Sequence, residues 1–339
     1  TGAEFLRAVV VGCELGARCN LTEEMYNGLD PTGVASVFGA TAAAGTILGL
    51  TAIQLHNALG LALNRCGGSF QSNIDGSLAV RLQQGLVAQS AIECVEYAAA
   101  NITGPVNFLE GIYGYTHLYA RDLCTAADFV DGLGEVWLLR GFMFKKFPSC
   151  GATQGATQLM LDIASELSLH DHEIERVVVT MPPYCQRLVG NQFSPGPNPR
   201  VSAQFSVQYC IANAVIRGVS GLAQFRPEAV LDPLLTPLIS RVEVVGDPAM
   251  DARGHSSVDV EVTLRNGQHE HRGYDTSPGY PGNELSDADH RRRFDDCMAY
   301  AELPLAPGAA EIVLDVVAHL EIEPDITDRI NLLLATTPT

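Results

Sequence analysis

Between Val34 and Ala62 the chain is dominated by Ala, Gly, Val and Leu, yet Gly39, Gly45, Gly49 and Gly60 interrupt the run. A membrane span stays uniformly apolar over roughly 20 residues, whereas this stretch also holds Gln54, His56 and Asn57. It therefore predicts two buried helices, Val34–Leu48 and Ala52–Asn64, parted at Gly49-Leu50 and restarted by a Thr51 cap. Small residues let helix backbones approach closely, so the segment demands other helices packed around it. Its neighbours supply them. Glu4–Ala17 places Phe5, Val9, Val10, Cys13 and Leu15 at helical spacing, with Thr1 as N-cap and Glu4 as the capping-box acid. Ser77–Ala100 is a further helical pattern, closed by Asn101-Ile-Thr-Gly-Pro105.

Near residue 141 the texture changes. Gln158–Leu167 and Ala203–Ile216 still read as helices, but β-branched runs now separate them: Val177–Met181, Arg241–Val245 and Val258–Leu264. The last alternates apolar and polar residues, passes Arg265-Asn-Gly267 and returns through His269–Arg272, the pattern of a hairpin. Helical spacing resumes at Ala309–Leu320 and Ile326–Leu334. The expected fold is mainly α with an α+β second domain. Both chain ends, 1–140 and 300–339, would build a helical bundle, and 141–299 would form an inserted α+β domain. Pro195-Gly-Pro-Asn-Pro199 reads as a rigid loop inside that second region.

A net charge of −18 over 339 residues argues against a phosphate-backbone partner, so no nucleic acid is expected. A few local cations can still hold an anionic small molecule. The nine cysteines are scattered, never in C-x-x-C spacing, and read as reduced thiols of a cytoplasmic protein without zinc or disulfides. No signal peptide opens the sequence given, and no membrane partner is expected. His269 and His271 share one strand face but lack a third ligand, so they read as an exposed pair rather than a metal site. Gly67-Gly68 lacks the strand-then-helix frame of a nucleotide loop. No cofactor and no metal are expected.

Three loops carry most of the chemical information: Tyr26-Asn-Gly-Leu-Asp-Pro-Thr-Gly33, Asp75-Gly-Ser-Leu-Ala-Val-Arg-Leu-Gln-Gln-Gly85 and Lys145-Lys-Phe-Pro-Ser-Cys-Gly-Ala-Thr-Gln154. Further pieces follow in order: Phe38-Gly-Ala-Thr-Ala-Ala-Ala44, Thr103-Gly-Pro105, Leu109-Glu-Gly111, Ala203-Gln-Phe-Ser-Val-Gln-Tyr209, and Gly279, Asn283, Leu285-Ser286 and Phe294. Each piece is weak alone, but their order and spacing resemble the MmgE/PrpD family over nearly the whole chain. That family includes 2-methylcitrate dehydratase, cis-aconitate decarboxylase and iminodisuccinate epimerase. The resemblance implies a helical domain plus an α+β lid, cofactor-independent lyase or isomerase chemistry, and dimers formed through the helical domain.

Three departures alter the expected chemistry. Family members usually carry a further N-terminal segment holding His and Asp residues of the active site. The family's His before Pro-Thr is Asp30 here. Its Lys and His on the next helix are replaced by Val80, beside Arg81, and Gln83, and its Thr-His after Pro-Ser-Cys is Thr153-Gln154. Imidazole exchanges protons near neutral pH, whereas Gln only hydrogen-bonds and Val does neither. The resulting expectation is an enzyme of altered chemistry on this scaffold, performing isomerisation, epimerisation, dehydration or cyclisation by proton transfer. Its substrate would be a small carboxylate or carbonyl compound bound between the domains. Asp30 and Tyr26 are the catalytic candidates, and Arg81, Lys145, Lys146, Gln83 and Gln154 the substrate-binding ones. Asp30 also reads as a helix cap before Pro31, and Arg81 as a surface residue. Tyr113, Tyr115 and His117 are secondary candidates, and a nucleophilic Cys150 lacks a neighbouring His base. Two alternatives stand beside this reading. One is a non-catalytic or partner subunit of a split enzyme of this family; the other is a 2-methylcitrate dehydratase-like lyase. The expected assembly is a homodimer or a complex with a second family-like chain.

Overall fold

The computed structural model describes residues 1–301 and 308–329, without the side chains of Glu23 and Tyr26. Two compact units emerge: residues 1–140 with the described part of 303–339, and residues 141–302.

The first unit is helical. Its helices are α1 (Gly2–Arg18), α2 (Pro31–Ile47), α3 (Ala52–Leu63) and α4 (Ala79–Ala99). Local chemistry starts two of them. Thr1 and Glu4 form a complete capping box on α1, and Thr51 with Gln54 does the same on α3. The crossing of α1 and α2 explains the small residues: a Cβ on Gly39 would lie 2.5 Å from the Gly12 carbonyl oxygen, closer than any side chain permits. Val34, Val37, Phe38, Ala62, Val87 and Tyr115 fill the core these helices enclose. A C-terminal helix, Ala309–Ala318, belongs to the same unit, and the Gly2 amide donates to the Glu323 carbonyl at 2.8 Å. The expected helix Ile326–Leu334 runs beyond the described residues.

An ion pair lies inside this unit. Arg18 Nε donates to Glu14 Oε1 at 2.7 Å, and both side chains are buried. Arg18 also donates to the carbonyls of Phe129, Asp131 and Val136, while Glu14 Oε2 accepts the Leu139 amide at 3.0 Å. The pair thereby ties α1 to the irregular segment 129–139. Burial alone would raise the Glu14 pKa, but the Leu139 and Leu138 amides and Arg18 outweigh it and hold it below its ordinary value.

The second unit is α+β. Strands β1 (Ile174–Met181), β2 (Val242–Gly246), β3 (Val258–Leu264) and β4 (His269–Tyr274) form one sheet in the order β2-β1-β3-β4. β1 pairs parallel to β2 (Val177 opposite Val242) and antiparallel to β3 (Val179 opposite Val260). The β3–β4 hairpin turns with Gly267 at φ +87° and its amide on the Leu264 carbonyl, so Gly267 takes a left-handed position that suits glycine. Alternation puts Val177, Val179, Val258, Val260 and Val262 into one core with Met160 and Ile163 of α5 (Gln154–Glu166) and Ile211 of α6 (Val207–Arg217).

The single helix expected over Ala203–Ile216 is in fact two. A short helix, Pro199–Gln204, ends at Phe205, and α6 begins afresh because Ser206 leaves helical geometry and accepts the Tyr209 amide as an N-cap. Apolar periodicity persisted across the break and hid it. None of the nine cysteines, all among the described residues, is in a disulfide. Among the described residues no helix is long and apolar enough to cross a membrane.

Candidate functional site

In the helical unit, Asp30 caps α2: its Oδ1 accepts the Thr32 amide at 3.0 Å and Pro31 occupies the first turn. Oδ2 has no hydrogen-bond partner among the described residues. The loop carrying Asp30 is not loose. The Asp30 amide donates to Gly68 O, the Phe70 amide to Gly28 O and the Gly67 amide to Gly33 O, which locks segments 28–33 and 67–70 side by side. Gln83 of α4 completes the arrangement by donating Nε2 to Gly67 O at 3.1 Å. A Cβ on Gly33 would sit 1.9 Å from that same carbonyl oxygen and 2.4 Å from Gln83 Nε2, so glycine is required there.

Asp30 and Gln83 are thus brought together, though Gln83 spends a donor on the backbone. Arg81 sits two residues earlier on α4, about 200° around the helix, and is exposed. Tyr26 ends a four-residue helical turn, Glu23–Tyr26, and its side chain lies outside the described residues. Tyr115 is core: fully buried, it donates its hydroxyl to Cys19 O at 2.5 Å. Tyr113 is exposed, and His117 pairs with Asp122 at the surface. A groove of about 960 Å³ beside Leu109-Glu-Gly111 takes in His56, Glu110 and Tyr113. Two of its polar groups are already engaged, His56 with Val106 O and Glu110 with the Ala126 amide.

In the α+β unit the loop 145–154 is held from within by Gln154, the first residue of α5. Gln154 is completely buried. Its Oε1 accepts the Phe147 amide at 2.8 Å, and its Nε2 faces Phe147 O, Ser149 Oγ and Cys150 O, each at 3.2 Å. Gln154, expected to contact substrate, spends its amide on its own loop here. Ser149 and Thr153 hydroxyls add a 2.7 Å bond inside the same turn. Gln154→Leu should cost about 2–4 kcal/mol in urea unfolding, because buried backbone groups at Phe147 and Cys150 lose their partners. Hydrogen exchange at the Phe147 amide should rise with it; unchanged protection there would sink this account.

Lys145 and Lys146 are the two lysines of the whole chain, and their fates differ. Lys146 Nζ lies 3.0 Å from Asp289 Oδ1, with both side chains mostly shielded. Burial alone would raise the Asp289 pKa; the Ser286 hydroxyl and Lys146 reverse this and hold it below its ordinary value. Lys145 is exposed and forms no ion pair among the described residues. Beside it, burial pushes the Cys150 thiol up, with Lys145 pulling weakly the other way, so Cys150 stays protonated and a poor nucleophile.

One residue of this neighbourhood escaped the sequence reading. Tyr280 aims its hydroxyl at the loop, 3.3 Å from where a Cβ on Gly151 would lie. The signal available was its place between Gly279 and Asn283, which marks the segment but not the tyrosine. The exposed histidines of β4 build nothing comparable: His271 Nε2 is 3.9 Å from Asp259, and no group of three metal-ligating side chains occurs among the described residues.

Comparison with known proteins supplies a frame for these loops. Residues 1–123 match the MmgE/PrpD N-terminal domain and residues 147–321 the MmgE/PrpD C-terminal domain. The chain is 24% identical to the cis-aconitate decarboxylase of Mus musculus, over 95% of this chain and 66% of that protein. Its identity to the Homo sapiens cis-aconitate decarboxylase is also 24%, over 100% of this chain and 70% of the relative. A cis-aconitate decarboxylase-like protein, oryM, of Aspergillus oryzae is 25% identical over 75% of this chain and 56% of its own length. The chain thus spans just under two thirds of the mouse protein.

Proposed function

Because the chain belongs to the MmgE/PrpD family, we propose that it is a lyase-type enzyme acting by proton transfer on a small carboxylic acid related to cis-aconitate. The observation that carries this reading is Lys145. It is a cation without an ion-pair partner among the described residues, on a loop whose backbone Gln154 holds rigid, next to a lysine already neutralised by Asp289. In a chain of net charge −18, such a cation is a natural receptor for one carboxylate. Within the helical unit, Asp30 is the group able to take a proton: its capping oxygen fixes the side chain and its other oxygen is uncommitted. The altered reactions, isomerisation, epimerisation or cyclisation, remain variants of the same proton transfer. No step calls for a cofactor.

Proton NMR in D2O with cis-aconitate, 2-methylcitrate and smaller acids tests the proposal. Loss of one C–H signal, or product formation, supports it; a folded preparation that exchanges nothing in the panel overturns it. Lys145→Met should weaken binding of the responding acid about tenfold, or ~1.4 kcal/mol. Lys146→Met should instead lower stability, since it leaves the shielded Asp289 with only the more exposed Arg292, at 3.3 Å, as a cation. Equal binding losses for both would mean that the ion pair opens to serve the ligand.

A second reading has its own observation. Leu78 at the N-cap of α4, with Leu82 and Leu86 along the helix, follow at four-residue intervals and are 64%, 60% and 46% exposed, an apolar stripe of the kind that other chains cover. It favours a homodimer, or a subunit completed by a second family-like chain. Light scattering distinguishes them: a monomer that turns over an acid alone eliminates this reading.

A further inference from the structure

We propose that the Tyr280 hydroxyl is a hydrogen-bond donor to the bound acid, stabilising the negative charge that develops on a carboxylate or enolate oxygen beside Gly151. The inference rests on the proton-transfer reading above and deepens it by naming a group that no motif singles out.

The ring is held by backbone, not by chance packing. The Phe144 amide donates to Gly279 O at 2.8 Å, the Gly279 amide to Asn283 O at 2.8 Å, and the Asn283 amide back to Tyr280 O at 2.9 Å. Asn283 Nδ2 adds a bond to Thr276 O at 2.8 Å. This closed turn hangs from Phe144, the residue before Lys145, so it fixes the phenol against the same loop. The hydroxyl lies 3.3 Å from the Cβ that Gly151 lacks, and Met143 Sδ lies equally far from that point.

A largely shielded tyrosine hydroxyl normally finds a protein partner. Tyr115, Tyr119 and Tyr209 of this chain each do, on the carbonyls of Cys19, Cys66 and Gln224. The Tyr280 hydroxyl has none among the described residues. Burial, with the Cys185 and Cys150 thiols nearby, pushes its pKa up to about 12, so it stays protonated in neutral solution and can donate. It does not need to give up its proton. A neutral, prepositioned donor stabilises an oxyanion as it forms, and no group has to be recharged afterwards.

The test places 3-fluorotyrosine at position 280 of the full chain and titrates it with cis-aconitate and 2-methylcitrate. Ligand line broadening is followed in the same samples. The fluorine resonance should move saturably, with the midpoint of the ligand broadening. In Tyr280→Phe, kcat should fall about 10²–10³-fold with KM within about threefold, as for loss of one oxyanion donor. If an acid binds but the fluorine signal stays still and Tyr280→Phe turns over normally, the Tyr280 proposal is overturned and the proton-transfer reading survives. If neither these two nor the smaller acids of the panel bind or react with the folded parent protein, both fall together.

Discussion

Arg18→Ala should lower the unfolding free energy by about 3–5 kcal/mol, the cost of stripping one partner from a buried charge pair. Three effects act in the same direction. Glu14 would keep a buried carboxylate with no cation beside it. The carbonyls of Phe129, Asp131 and Val136 would lose a charged donor. The segment 129–139 would lose its tie to α1. Glu14→Gln should cost less, because its one amide oxygen can still accept from Arg18 or from Leu139 and Arg18 keeps its three backbone carbonyls. Urea melts at equal m-value would check the ordering, and an Arg18→Ala protein within about 1 kcal/mol of the parent would refute it. A pH series gives an independent reading. The Glu14 pKa is depressed in the folded state, so its contribution is present above the ordinary carboxylate range. It is lost as acid carries the pH below the depressed value.

Asp30→Asn separates the two roles that one side chain is asked to play. Asn caps a helix about as well as Asp, so the variant should melt within about 0.5 kcal/mol of the parent. It cannot take a proton, so turnover of the responding acid should drop by about 10²–10⁴, the usual worth of a general base. Asp30→Ala should lose the same activity and about 1 kcal/mol besides, because the Thr32 amide is left without its acceptor. Full activity in Asp30→Asn would leave Asp30 as a cap alone and move the proton-accepting role elsewhere.

Much of the fold could be read from residue order, because its causes are local. Capping boxes act over three residues, strand alternation over two, and the Gly267 turn over four. The family could be read for a similar reason: its motifs are short and their sequence is kept. The one misjudged helix, Ala203–Ile216, failed where two local signals disagreed, with unbroken apolar spacing on one side and the Ser206 cap on the other.

The fates of the site residues were decided at longer range. Lys145 and Lys146 are adjacent and chemically identical, yet only Lys146 meets Asp289, 143 positions further along. Gln83 and Gln154 both replace expected histidines, but one half-shielded amide braces Gly67 and the other disappears into its own loop. Tyr280 reaches Gly151 across a gap of more than a hundred residues. Sequence by itself determined the helices, the strands, the family and which side chains can move protons, because short-range backbone and rotamer preferences settle such things. Tertiary structure alone decided which of those side chains are spent on the fold and which stay open to a ligand. A polar group's partner depends on what the folded chain brings within about 3 Å of it, and proximity in space is not encoded in proximity along the chain.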